Sequence, residues 1–148
     1  MKLRWIVTVL MVAVLASVGV LIAAEAGKVT KDTKCPVSGK AAGADHAVDF
    51  GGGKVYFCCD NCPKAFEKDK AKFTAKANHQ LVQTGQQVQA CCPLTQKPTK
   101  EGTEVEIDGV KVAFCCNNCK GTVAKLKADE QLAKVFGDIS KCFKAAGK

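Results

Sequence analysis

Arginine is almost missing from this chain of 148 residues: the single one is Arg4, and every other fixed side-chain cation is lysine. The planar guanidinium fork that grips phosphates and guanines is therefore absent from everything after the first few positions. Aromatic rings are scarce too, with one Trp, one Tyr and seven Phe, so few platforms exist on which bases could stack. The excess of lysine, 20 against 13 Asp plus Glu from Gly27 onward, is spread rather than blocked, and reads as solvated faces. No nucleic-acid partner is expected. Nor does the chain offer a Ser-His-Asp set, a pair of facing carboxylates or a phosphate-cradling glycine loop, and its only imidazoles are His46 and His79. Hydrolytic and phosphoryl-transfer chemistry have nothing to work with, and the expectation is a protein that is not an enzyme.

Long apolar runs are also lacking, with one exception at the front. Lys2 and Arg4 precede an uncharged run from Ile6 to Ala24, followed by Ala24-Glu25-Ala26, with small residues where a signal peptidase reads. Residues 1–26 are thus a signal peptide or, if uncleaved, a membrane anchor, since roughly 20 apolar residues suffice to span a bilayer core. No cysteine follows closely enough for lipoprotein acylation. Either alternative puts the remainder outside the cytoplasm, periplasmic or secreted, touching a membrane only through this segment.

Cysteine is what the chain has in abundance: ten residues, about 8 per cent of the part after residue 26, a density typical of small disulfide or metal scaffolds. Their arrangement is repeated. Val55-Tyr56-Phe57-Cys58-Cys59-Asp60-Asn61-Cys62 returns 57 positions later as Val112-Ala113-Phe114-Cys115-Cys116-Asn117-Asn118-Cys119. Each copy is preceded by a Cys-Pro turn, at Cys35 and at Cys92, so that Cys35 to Cys58 and Cys92 to Cys115 are both separations of 23. Self-similarity in register marks a built unit. We place the two units at 27–86 and 87–148, each too short for a generous core and so expected to lean on a metal or covalent cross-link.

Within each unit the pattern predicts a cysteine knuckle, a β-hairpin and a helix. Gly39 supplies the left-handed conformation a tight knuckle wants. Ala47–Phe50 and Lys54–Phe57 read as strands around Gly51-Gly52-Gly53, and 105–107 with 110–114 repeat them around Asp108-Gly109, the stronger turn signal. Asp60, Asn61, Asn117 and Asn118 suit helix caps, and Pro63 suits a first turn. The first helix is expected to reach about Ala77. The second starts near Asn118, with a break or bend before Val135, Phe136, Ile139 and Phe143. The glutamine-rich stretch 78–89 closes the first unit.

A strand ending in Phe-Cys-Cys just ahead of a helix sets Cys58, Cys59 and Cys62, and likewise Cys115, Cys116 and Cys119, at a helix N-terminus. The dipole and free amides there favour thiolate, the form that binds metal. Cys35 and Cys92 arrive from the knuckles. Sulfur sets of this kind suit Zn2+ when four-coordinate and Cu+ at lower coordination. The order Cys-x-x-Ser-Gly-Lys, hairpin, aromatic-Phe-Cys-x-x-x-Cys and then Phe66 resembles the TRASH and YHS domain superfamily, over about 40 residues in each unit. That resemblance implies a treble-clef-like ββα module, an α+β fold, and heavy-metal binding, sensing or trafficking. By matching position it puts the ligands on Cys35, Cys58 and Cys62, and on Cys92, Cys115 and Cys119. Ser38 and Thr95 stand where four-cysteine relatives carry a further ligand, and the Tyr-His-Ser triplet is absent; Cys59 and Cys116 are additional sulfurs that can make up the set.

Two other readings of the same cysteines stay open. Outside the cytoplasm an even count fits a disulfide framework serving a structural or interaction module. Cys59-Asp60-Asn61-Cys62 and Cys116-Asn117-Asn118-Cys119 are C-x-x-C motifs at helix starts, as in thiol-disulfide exchange proteins, although the surrounding βαβ pattern is missing and Cys58 competes. Cys91 and Cys142 fall outside the repeat and either bridge each other or lend a sulfur beside Cys92. His46 reads as a solvated surface side chain. The expectation carried forward is a carrier, buffer or sensor of Zn2+ or Cu+, whose partners are the ion and a metal transporter or other exported protein.

Overall fold

The computed structural model describes residues 27–147, so the expected signal peptide or anchor at 1–26 lies outside the described residues. The chain is mixed α+β. In order come β1 (Ala47–Phe50), β2 (Gly53–Tyr56), α1 (Asn61–Lys68), α2 (Lys70–Gln83), β3 (Gln87–Gln89), β4 (Val105–Ile107), β5 (Val110–Val112), α3 (Asn117–Ala124), α4 (Ala128–Phe136) and β6 (Phe143–Ala145). None of the described helices is long and apolar enough to cross a membrane.

Both expected hairpins form. β1 pairs antiparallel with β2, and β4 with β5. The turns use positive φ at Gly51 and Gly52 in one case and at Asp108 and Gly109 in the other, the geometry that a right-twisted two-residue hairpin demands. Inward-facing Val55 and Phe57, and Val112 and Phe114, are fully buried in equivalent places. In the first repeat Phe66 fills the space over the hairpin, 5.2 Å from Phe50 and 5.5 Å from Phe57 by ring centroids.

The helices depart from expectation. What reads as one helix ending near Ala77 is two, broken at Asp69, whose carboxylate accepts the Lys72 N–H and restarts the second. That second helix runs on to Gln83 because Asn78, His79 and Gln80 are buried against backbone groups elsewhere, a use for polar side chains that periodicity does not reveal. In the other repeat the break falls before α4, where the Glu130 carboxylate caps the Lys127 N–H. Phe143, expected with the last helix, belongs instead to a strand.

That strand joins the repeats. β3 and β6 occupy corresponding places in the two copies and pair antiparallel, with Gln87 opposite Ala145 and Val88 opposite Lys144. A shift of 57 carries each of these pairs onto the other, so the register obeys a pseudo-two-fold axis. α2 and α4, also corresponding elements, pack together across the same axis. A single buried cluster results, reaching from Val55, Phe66 and Leu81 to Phe114, Val123 and Phe136. Lys34 to Asp108, at 2.5 Å, and Lys76 to Asp129, at 4.0 Å, tie the halves on the outside.

Candidate metal centre

Each knuckle is closed by its own backbone. The Cys35 N–H donates to Lys40 O at 2.7 Å and the Gly39 N–H to Cys35 O at 2.9 Å; in the copy, Cys92 N–H donates to Lys97 O and Gln96 N–H to Cys92 O. The left-handed position is Gly39 in one, φ 73°, and Gln96 in the other, φ 60°. The strand end is anchored beside it: Gly43 N–H to Phe57 O in the first repeat and Lys100 N–H to Phe114 O in the second.

Glutamine side chains complete this alignment. The Gln80 carboxamide accepts from Tyr56 N–H at 2.6 Å and donates to Tyr56 O and to Lys34 O at 2.8 and 2.9 Å. Gln89 does the same for the corresponding backbone of the second repeat, bonding Ala113 N–H, Ala113 O and Cys91 O. Each amide fastens the residue just before Phe-Cys-Cys to the residue just before the knuckle cysteine. The two glutamines reach the same task from different places in the repeat, so comparing the two copies does not expose them.

The alignment brings the sulfurs together. Cys35, Cys58 and Cys62 offer three sulfur atoms that all lie within 4.8 Å of one another, and so do Cys92, Cys115 and Cys119. Both sets could hold a metal ion. Cys59 is near the first, 3.8 Å from Cys58 and 3.6 Å from Cys62, and Cys116 is 3.7 Å from Cys115. Ser38 and Thr95 hydroxyls sit 3.1 and 3.2 Å from the sulfurs of Cys58 and Cys115, equivalent contacts that hold a sulfur in place rather than supplying one. All eight of these cysteines are free thiols.

The electrostatics divide each set. Burial opposes ionisation of Cys35, yet the Ser38 hydroxyl and the amides of Ser38, Cys58 and Val37 outweigh it and bring its pKa down to about 7. Cys92 likewise comes down to about 7, against burial, through Thr95 and the amides of Cys115, Leu94 and Thr95. Cys62 and Cys119 are pushed up to about 12 by burial first and then by the neighbouring sulfurs. Cys59 is lowered chiefly by the Asn61 amide, and Cys116 by the Cys119 amide. A cation placed among the sulfurs would favour the thiolate form of Cys62 and Cys119 against the burial that holds them protonated.

The remaining candidates sort themselves out. Cys91 and Cys142 are bonded to each other, which excludes Cys91 as a free sulfur beside Cys92. His46 is half-buried with Nδ1 2.9 Å from the Asp60 carboxylate. Asp60 precedes α1 without making a side-chain cap. His79 is buried, with Nε2 3.0 Å from Ile107 O, far in role from any sulfur. No protein-family model, curated protein or solved structure matches this chain.

Proposed function

We propose that this is an exported metal-binding protein that holds a soft ion, Cu+ or Zn2+, in each of two thiolate sites and acts as a carrier, buffer or sensor rather than an enzyme. The observation that carries the reading is the pair of sulfur triads, each assembled by a knuckle, a hairpin end and a helix start, and matched in both repeats. Two accidental clusters would not share backbone closure, hydroxyl contacts and amide fastenings. The donor chemistry favours thiophilic ions, because hard cations take oxygen ligands. Eight free thiols beside one disulfide also weigh against a fully oxidised scaffold, while that one bond supports an oxidising compartment. A treble-clef-like description of each repeat, and kinship with the TRASH and YHS superfamily, belong to the same proposal and rest on the cysteine order and the knuckle-hairpin-helix sequence.

The test joins a metal analysis to a thiol count on protein recovered anaerobically from its native compartment. Metal present, with the eight thiols titratable after chelation, supports the reading. No metal and no titratable thiol would leave a disulfide scaffold, and a reversible two-electron couple at one C-x-x-C motif would leave thiol exchange.

A further inference from the structure

We infer that the first repeat has room for two Cu+ ions, the second in an outer position made by Cys59 together with Cys58 and Cys62. This rests on the metal-binding reading above and goes beyond it in number, place and selectivity. The three sulfurs form a closed triangle with edges of 3.6 Å for Cys58–Cys62, 3.6 Å for Cys59–Cys62 and 3.8 Å for Cys58–Cys59. A metal–sulfur bond of about 2.3 Å puts sulfurs about 4.0 Å apart in a trigonal plane, so a small outward movement admits an ion. The inner triangle of Cys35, Cys58 and Cys62 shares the Cys58–Cys62 edge with the outer one. Two triangles on a common edge are the arrangement in which two thiolates bridge a pair of three-coordinate ions and one terminal thiolate completes each.

The chemistry selects Cu+. Two Cu+ and four thiols give a dicopper tetrathiolate of net charge −2 and release four protons to solvent, with four sulfurs supplying six bonds and no electron transferred. Zn2+ asks for four donors, so four sulfurs satisfy one zinc and leave two under-coordinated. The excess negative charge sits at the start of α1, where the backbone dipole is positive and the first amides lack helical acceptors. Cys58 and Cys59 are half-exposed whereas Cys35 is buried, which makes the outer ion the one that a solvent ligand can reach. The second repeat has two such edges, Cys115–Cys116 and Cys115–Cys119, each 3.7 Å.

The experiment titrates the full chain, anaerobic and with its thiols reduced, with Cu+ delivered from a chelator buffer and separately with Zn2+. Cys59→Ser and Cys59→Ala should each bind one Cu+ fewer than the parent, with unchanged far-ultraviolet dichroism. The parent should show a copper–copper path in its X-ray absorption spectrum that weakens in both variants. A parent that binds neither metal defeats the underlying metal-binding reading. A parent that binds Cu+ while both variants bind as much, with the same copper–copper path, defeats the outer site alone. A Cys59–Cys62 disulfide in protein isolated without reductant would also overturn it.

Discussion

His79 and Phe136 hold the same place in the two repeats, 57 positions apart, and their rings meet edge to face with centroids 5.0 Å apart. The contact therefore straddles the pseudo-two-fold axis. Asn78 beside it donates to Phe136 O at 2.7 Å, and His79 Nε2 faces Ile107 O, so the first repeat's α2 grips the backbone of the second. The copies differ in polarity here, with a buried imidazole in one and a phenyl ring in the other.

This contact makes the join between the repeats sensitive to acid. Burial holds the His79 pKa below its ordinary value, with Ile107 O and Asp108 pulling upward and Lys34 pushing downward. The unfolded chain consequently binds more protons in the window below about pH 6.5, and stability falls as pH drops through it, by up to about 1.4 kcal/mol per unit, and levels off above it. Denaturant midpoints at pH 7.5 and pH 5.5 should differ more for the parent than for His79→Gln, which cannot titrate. Equal differences would remove His79 as the source.

The amide fastenings give a second expectation. Gln80→Ala leaves buried Tyr56 N–H and O and Lys34 O without their side-chain partner, at a cost of roughly 3 kcal/mol. Because those atoms set Phe-Cys-Cys against the knuckle, metal held by Cys35, Cys58 and Cys62 should loosen more than metal held by the other set. Gln89→Ala should reverse the preference. Chelator competition on each variant, with stability measured alongside, distinguishes this from a uniform loss.

The hairpins, the repeat and the six triad cysteines could all be read from the sequence, because turn chemistry and cysteine spacing are local signals. The binding of one repeat to the other could not. β3 and β6 are three residues each, too short to show a period, and their partners lie more than 50 residues away. Asn78, His79 and Gln80 look like a solvated end to a helix, since nothing in composition announces that the backbone of Phe136, Ile107 and Tyr56 needs partners. Buried polar residues are placed by distant acceptors, and the second half of α2 was hidden for that reason.

Protonation supplies a third expectation. With Cys35 and Cys92 brought to about pKa 7, each site must displace one more proton on binding metal below that pH than above it. The logarithm of the affinity should thus steepen against pH by about one unit of slope per site on the acid side of 7. Ser38→Ala removes the hydroxyl that helps hold Cys35 down, and should move this break upward in pH for the first site only. Affinities from a chelator series between pH 5.5 and pH 8.5 check it.

Ser38 also marks how close the first site is to a closed zinc centre. Its hydroxyl lies 3.1 Å from the Cys58 sulfur, on the knuckle that carries Cys35. Ser38→Cys would put a knuckle sulfur there, making with Cys35, Cys58 and Cys62 a four-thiolate set that does not draw on Cys59 and suits tetrahedral Zn2+. Zinc affinity of the first site should rise at least about tenfold, which is about 1.4 kcal/mol, while Thr95→Cys should do the same for the second. A knuckle cysteine that leaves zinc affinity unchanged would mean that the hydroxyl points away from the ion position.

The Cys91–Cys142 bond has no counterpart in the first repeat, where Lys34 and Gly85 stand at the matching positions. It closes a sequence separation of 51 and sits against the second knuckle, with Ala90 N–H donating to Cys142 O at 2.7 Å. Closing a loop of that length constrains the unfolded chain by about 4 kcal/mol in the chain-entropy account. Cys91→Ser with Cys142→Ser should therefore lower stability by about 2–5 kcal/mol. The loss should fall on one side. Cys92 follows Cys91 directly, so metal at Cys92, Cys115 and Cys119 should exchange faster in the variant, whereas metal at Cys35, Cys58 and Cys62 keeps nearly its parental rate. Exchange of isotopically labelled metal, resolved by comparing variants that each retain one site, would reveal this, and equal acceleration at both sites would show that the bond braces the whole fold instead.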